Sequence, residues 1–248
     1  MTADIRTPLL AELDRWQANG RIACFWLRDD DAVKPTEPLD RLMDLTRRYA
    51  VPATLAVIPE CTGQELANYL QDKPMASVAV HGWSHKNHAG ENEKKQELGA
   101  HRPIEDVIAE IDGGFKHLQA LYPQQFTPVL VPPWNRIAAP MLAELPGLGY
   151  RALSVFGPEK AGPLPVINTH VDLMDWHGTR RARAHSELAS DIARRLRQMF
   201  ETGGTMGLLA HHLVHDEQAW AFLDALFEIT TQHPACRWKS LPDMLGQR

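Results

Sequence analysis

Short apolar runs recur along this chain, each followed by a segment with helical spacing, and that alternation limits the fold more than any other feature. Ile22–Leu27, Ala53–Ile58, Ser77–Val80, Pro128–Val131, Arg151–Val155, Val166–Val171 and Thr205–Ala210 read as strands. Between the first of these, Pro38–Tyr49 places Leu39, Leu42, Met43 and Leu45 on one helical face, and Gly63–Leu70 is a short helix. Ile104, Val107, Ile108, Ile111, Phe115 and Leu118 mark a long amphipathic helix starting after Pro103. Met141–Leu145 is a further short helix, Leu188, Ile192, Leu196, Met199 and Phe200 define another, and Trp220, Leu223, Leu226 and Phe227 line the last. Buried strands alternating with helices build parallel βα units, and about seven of them give a barrel or a doubly wound sheet. The 248 residues hold no repeat or long linker, so one domain spanning 1–248 is expected.

Composition excludes several classes. With 31 acidic against 26 basic side chains and a net charge of −5, the chain lacks the basic face of a nucleic-acid binder. No apolar run approaches the ~20 residues that span a bilayer. The N-terminal MTADIRTPLLAELDRW carries charges where a secretory signal is apolar, so a cytoplasmic protein is expected. Cys24, Cys61 and Cys236 are odd in number and form no CxxC pair, which argues against a disulfide framework or a cysteine-based zinc site.

Twelve histidines stand out against this background, and six fall in two windows: His81, His85 and His88 in VHGWSHKNH, and His211, His212 and His215 in LLAHHLVHD. Neutral imidazole is the commonest metal ligand, so such clusters point to metal or proton chemistry. Both windows begin where a strand ends. So do Asp29-Asp30-Asp31, Pro132-Pro133-Trp134-Asn135 and Asp172-Leu173-Met174-Asp175-Trp176-His177. Parallel α/β folds build active sites at C-terminal strand ends. His81 and His85, four apart, can face one point, and a carboxylate from the Asp triplet completes a His₂/Asp set that suits zinc or ferrous iron. A neighbouring carboxylate is placed to be a base, and His211 or His212 to be an acid. Trp134 and Trp176 can wall a pocket.

In this order, the motifs resemble those of the NodB-type polysaccharide deacetylases, carbohydrate esterase family four, from about residue 22 to 216, with this chain a divergent member. The resemblance implies a deformed (β/α) barrel of about seven parallel strands and a divalent metal, zinc first among the transition metals. Asp29-Asp30-Asp31-Ala32 is similar to the family's Phe-Asp-Asp-Gly and implies Asp30 as base and Asp31 as metal ligand. A register one residue earlier would make these Asp29 and Asp30. His81-Gly82-Trp83-Ser84-His85 is similar to His-Ser/Thr-x-x-His and implies two more ligands, with Ser84 a candidate for the hydroxyl that Gly82 lacks. Val131-Pro132-Pro133-Trp134 is similar to Arg-x-Pro-Tyr/Trp, but the arginine that orients the base is replaced by valine, leaving Arg28 and Arg136 as candidates for its role. Asp172-Leu173-Met174-Asp175-Trp176 matches Asp-x-x-Asp-Trp, and Leu209-Ala210-His211 matches Leu-x-His and implies His211 as acid. Trp134, Asn135, Arg136, Asp175, Trp176 and His212 are expected to bind substrate or support these residues.

Three functions follow as expectations. In the leading one, metal-activated water hydrolyses an acyl group, chiefly acetyl, from an N- or O-acylated carbohydrate or small molecule. The second keeps the fold but acts on another C–N bond, such as a cyclic amide. The third is a non-catalytic glycan- or ligand-binding pseudoenzyme, favoured by Val131 and opposed by the intact Asp and His set. The polar segment 86–102 follows the second motif and is a candidate lid. The basic Arg180-Arg181-Ala182-Arg183 reads as a solvated helix start.

Overall fold

The computed structural model describes residues 5–246. Its elements run α1 (Arg6–Ala18), β1 (Ala23–Ala32), α2 (Glu37–Tyr49), β2 (Ala53–Val57), α3 (Gln64–Leu70), β3 (Ala76–His81), α4 (Ile104–Leu121), β4 (Phe126–Val131) and α5 (Ala139–Glu144). They continue with β5 (Ala152–Leu153), β6 (Val171–Asp172), α6 (His185–Thr202), β7 (Met206–Ala210), α7 (Glu217–Gln232), β8 (Cys236–Trp238) and α8 (Leu241–Met244). The sheet order is β5-β4-β3-β2-β1-β7-β6, all pairings are parallel, and β8 joins the start of β1. This is the deformed (β/α) barrel of seven parallel strands that the motifs imply. Of the strand expected at Val166–Val171 only Val171 enters β6, Val166 and Thr169 forming isolated bridges, and the basic Arg180–Arg183 precedes α6 and does not start it. The other expected strands and helices are present, with β1 extended through the Asp triplet. The sequence reading leaves α1, β8 and α8 unassigned. Helix α1 buries Leu9, Leu13 and Trp16, and Trp16 meets Phe200 of α6 edge-on.

Side-chain alternation divides the apolar residues into two layers. Phe25 and Leu27 of β1 join the large layer between sheet and helices. Trp26 points the other way, into the barrel, beside Ala56, Ala79, Val129, Val131 and Ala152, with Leu241 of α8 in the same cluster. Small residues at those inward positions leave room for the indole of Trp26 and, one step further along β1, for the side chain of Arg28. Both are fully buried.

The barrel closes at a seam between β5 and β7. Residues 165–172 run extended across it. On one side, Ile167 N–H donates to Leu153 O at 2.9 Å and Thr169 N–H to Val155 O at 3.0 Å; on the other, His170 N–H donates to Gly207 O at 2.7 Å. Asn168 locks the seam, accepting from Val155 N–H and donating to the carbonyls of Gly157 and Pro158. Trp26 Nε1–H reaches across to Asn168 O at 3.1 Å. A Cβ at Gly207 would lie 2.3 Å from Asn168 O and 2.5 Å from Trp26 Nε1, so only glycine fits. Gly207→Ala should therefore cost about 2 kcal/mol by overpacking. Thermal denaturation should show a Tm lower by about 4–8 °C, and an unchanged Tm would remove this account of the seam.

Candidate active site

Three consecutive carboxylates end β1, and a bulge separates them. The register pairs Asp30 with Ala56 and Ala32 with Val57, leaving Asp31 unmatched at φ 76°. A bulge re-aims the side chain it inserts. Here it stops Asp31 from following Asp29 in the strand alternation, and the three acids meet three different partners.

Asp29, fully buried, accepts the backbone N–H of His212 at 2.8 Å and a short hydrogen bond from its Nδ1–H. Burial pushes the His212 imidazole toward its neutral form, but the charge and hydrogen bond of Asp29, with the charge of Asp31, together outweigh it and raise the pKa. Asp30 turns into the barrel, where Arg28 Nε stands 2.9 Å from Oδ1 and Arg28 Nη2 donates to Oδ2 at 3.0 Å. The guanidinium also donates to Asn135 Oδ1 at 3.0 Å and Ser154 Oγ at 2.8 Å. Of the two arginines that could compensate for Val131, Arg28 is the one on Asp30. Arg136 instead donates to the carbonyl of Lys95 at 2.7 Å.

Asp31 Oδ1 faces two imidazoles, with His81 Nε2 at 3.1 Å and His85 Nε2 at 3.4 Å. Among the described residues, these three form the one group of His, Cys, Asp and Glu whose ligand atoms converge within 4.8 Å. His81 Nδ1 stands 2.9 Å from Val131 O, and a carbonyl only accepts, so Nδ1 carries the proton. In the neutral ring, Nε2 therefore turns a lone pair toward a carboxylate oxygen. Such a contact needs a proton or a cation between the two atoms. Two ligands each about 2.0–2.1 Å from a shared tetrahedral centre lie roughly 3.3 Å apart, so the donor set fits zinc or a similar ion. Burial alone would raise the Asp31 pKa, but the hydrogen bond with His81 and the charges of His81, His85 and His211 lower it well below the usual carboxylate range.

The other end of the site is built on β6 and β7. His211 Nδ1 lies 4.0 Å from Asp172 Oδ1, and its ring meets Trp176 edge-on at 4.7 Å. Trp176 Nε1–H donates to Asp172 Oδ2 at 2.8 Å, so one carboxylate orients the indole and borders the imidazole. Burial raises the Asp172 pKa, against the pull of His211 and the bonds from Met174 and Trp176. Asp175 has a different task. It accepts Gly178 N–H at 3.0 Å and Thr179 N–H at 2.8 Å, closing a turn on the exposed rim. In the Asp-x-x-Asp-Trp match, it is therefore the first acid that faces His211. Trp134 packs on His85 at 4.4 Å between ring centroids, and Trp176 is 39% exposed, so two indoles border the opening. Sequence reasoning passed over Ser154, a lone serine after β5 with no motif around it, and Glu97, buried beside the His81–His85 turn.

Family membership rests on the sequence match. Residues 22–153 match the model of the polysaccharide deacetylase family, and the chain belongs to that family, the NodB-type carbohydrate esterase family four. A candidate polysaccharide deacetylase from Mycobacterium smegmatis superposes with a TM-score of 0.70 at 14% identity, covering 92% of this chain and 90% of that one. A peptidoglycan N-acetylglucosamine deacetylase gives 0.59 at 17% identity, with 92% and 90% covered. A family 4 acetyl xylan esterase from Clostridium thermocellum, in complex with a cobalt ion, gives 0.55 at 15% identity, with 90% of each chain covered. At these identities, the likeness is one of fold. A comparison with curated proteins gives no match. No helix among the described residues is long and apolar enough to cross a membrane.

His215 carries the pH signature of this region. Its Nε2 accepts His211 N–H at 3.1 Å, and burial lowers its pKa to about 4 while Asp29 pulls the other way. As pH falls below 6.5, the unfolded chain protonates this histidine and the folded chain does not, until about 4. Stability should therefore decline from pH 6.5 toward 4 and level off below. Denaturant unfolding across that range should show a shallower decline for His215→Gln. Equal slopes in the two proteins would contradict the assignment.

Proposed function

We propose that this chain is a metal-dependent hydrolase that removes an acyl group, chiefly acetyl, from an N- or O-acylated carbohydrate or small molecule. The observation that carries this reading is the division of labour within one triplet, in which Asp31 faces two imidazoles while Asp30, its neighbour, is held by a buried guanidinium. Asp31, His81 and His85 would hold the ion, with zinc the best fit to the donor set. A divalent ion there supplies Lewis-acid charge for the acyl oxygen and acidifies water beside it.

The chain's own residues supply the proton transfers. Asp30 is oriented by Arg28, and accepts the proton that the attacking water loses. His211, bordered by Asp172, gives a proton to the departing amine or alcohol. Trp134 and Trp176 offer faces on which the apolar side of a sugar ring can stack. Val131 alone favoured a pseudoenzyme. Because Arg28 already meets Asp30, the valine no longer supports that reading.

Three measurements test the assignment. Metal analysis of the purified protein should give about one divalent ion per chain, with chelation abolishing hydrolysis of acetylated substrates. Asp31→Ala should lose the ion. Asp30→Asn should keep it while turnover falls on the order of 10²–10⁴-fold. A chelator-insensitive hydrolase without bound metal would sink the mechanism, and full activity in Asp30→Asn would move the base elsewhere.

A further inference from the structure

The turn carrying His81 and His85 is not held as its family motif would hold it. Position 82 is glycine at φ 57°, and a Cβ there would stand 2.0 Å from Glu97 Oε2 and 2.7 Å from the ring of Pro133. The space of the missing side chain is thus occupied by a carboxylate from fifteen residues further on. Glu97 has no solvent exposure, and both its oxygens serve the turn. Oε1 accepts Ser84 N–H at 2.7 Å and Ser84 Oγ–H at 2.9 Å, and Oε2 accepts Trp83 N–H at 3.3 Å. Successive backbone N–H groups converging on one anion form a nest, and this one is filled from within the chain. It spans the residues between a left-handed Gly82 and a left-handed His85, φ 57° at both.

The neighbour of Glu97 fixes the other side. Leu98 is fully buried, bridges to Ile137, and accepts Ala138 N–H at 2.9 Å. Segment 86–102 is thereby clamped at Glu97 and Leu98 between the His81–His85 turn and the chain leaving Trp134, while residues 91–95 are exposed. A free lid would not be anchored at its inner end in this way.

We infer that Glu97 is a positioning residue for His85. Its carboxylate holds the strained 82–85 turn in the one conformation that brings His85 Nε2 to Asp31 and His81, so Gly82 and Glu97 are two halves of a single exchange for the family's hydroxyl residue. This inference rests on the reading of Asp31, His81 and His85 as an ion site. Removing such a supporting partner costs typically 10–100-fold in metal affinity.

The test uses the full chain, stripped of metal and titrated with Co²⁺ by calorimetry and by visible absorption. Glu97→Gln presents an NH₂ to a backbone N–H, and should weaken Co²⁺ binding about 10–100-fold and alter the visible spectrum of the bound ion. Ser84→Ala removes one of the three bonds and should give a smaller loss of the same kind. His101→Ala, which breaks only the contact with Glu93 on the outer part of the loop, should leave both readouts unchanged. If the wild-type protein binds Co²⁺ tightly and both Glu97→Gln and Ser84→Ala match it in affinity and spectrum, Glu97 has no positioning role. If the wild-type protein takes up no Co²⁺ at the site, the ion-site reading itself is overturned, and this inference with it.

Discussion

A guanidinium sealed inside a barrel must find its counter-charge and acceptors there, because moving it from water costs several kcal/mol that only close partners offset. Arg28 meets that demand with Asp30 on its own strand, Asn135 on the loop after β4 and Ser154 after β5. Much of the interior follows from this. Ala56, Ala79 and Ala152 keep the inward positions small, and Val131 occupies the position where the family places its arginine. Because Arg28 and Asp30 are i and i+2 on one strand, alternation alone puts them on the same face. The interaction that would orient the base also neutralises the core, so breaking it by removing one partner costs stability as well as activity, about 3–5 kcal/mol for a buried pair.

Backbone strain is concentrated at the candidate active site. Of six non-glycine residues at positive φ among the described residues, four are Asp31, His85, Trp134 and Asn135. Each such residue costs on the order of 1–3 kcal/mol and persists only where its surroundings over-determine it. Those surroundings are visible at each position: the bulge and two imidazoles for Asp31, the Glu97 nest for His85, packing on His85 for Trp134, and the Arg28 bond for Asn135. Irregular backbone here redirects side chains that a regular strand would send elsewhere.

The sequence disclosed what local rules govern. Continuous apolar runs gave the strands, since parallel strands buried on both faces carry no alternation. Order and spacing brought Asp31, His81, His85 and His211 to one end of the sheet. What stayed hidden depends on contacts between distant segments. Nothing local marks Glu97 as different from Glu91 or Glu93, yet it is buried and they are exposed. The choice between Arg28 and Arg136 turned on which side chain enters the barrel. The two registers of the Asp triplet were indistinguishable until the bulge showed Asp31, not Asp30, beside the histidines. Helix α1 escaped notice because its apolar stripe is only Leu9, Leu13 and Trp16 among charged neighbours, and its partner Phe200 lies far along the chain.

Charge accounting explains why three adjacent carboxylates are tolerable here. Asp30 is balanced by Arg28, and Asp29 by His212, whose raised pKa favours the imidazolium. Asp31 alone has no permanent cation. Its partners are two imidazoles, and His81 has spent its Nδ1 proton on Val131 O. With both imidazoles neutral, the triplet resolves into two internal ion pairs and one remaining negative charge, set beside His81 Nε2 and His85 Nε2 at the mouth of the barrel. A proton satisfies that arrangement poorly, because it can bond only one nitrogen to the carboxylate at a time. A divalent cation would satisfy all three donors together and would leave a net positive charge facing the opening, on the side where the proposed reaction would place the acyl oxygen. On the proposed reading, the place of Arg28 on Asp30 and not nearer to Asp31 matters, because a fixed cation beside Asp31 would cancel the charge that would draw an ion in.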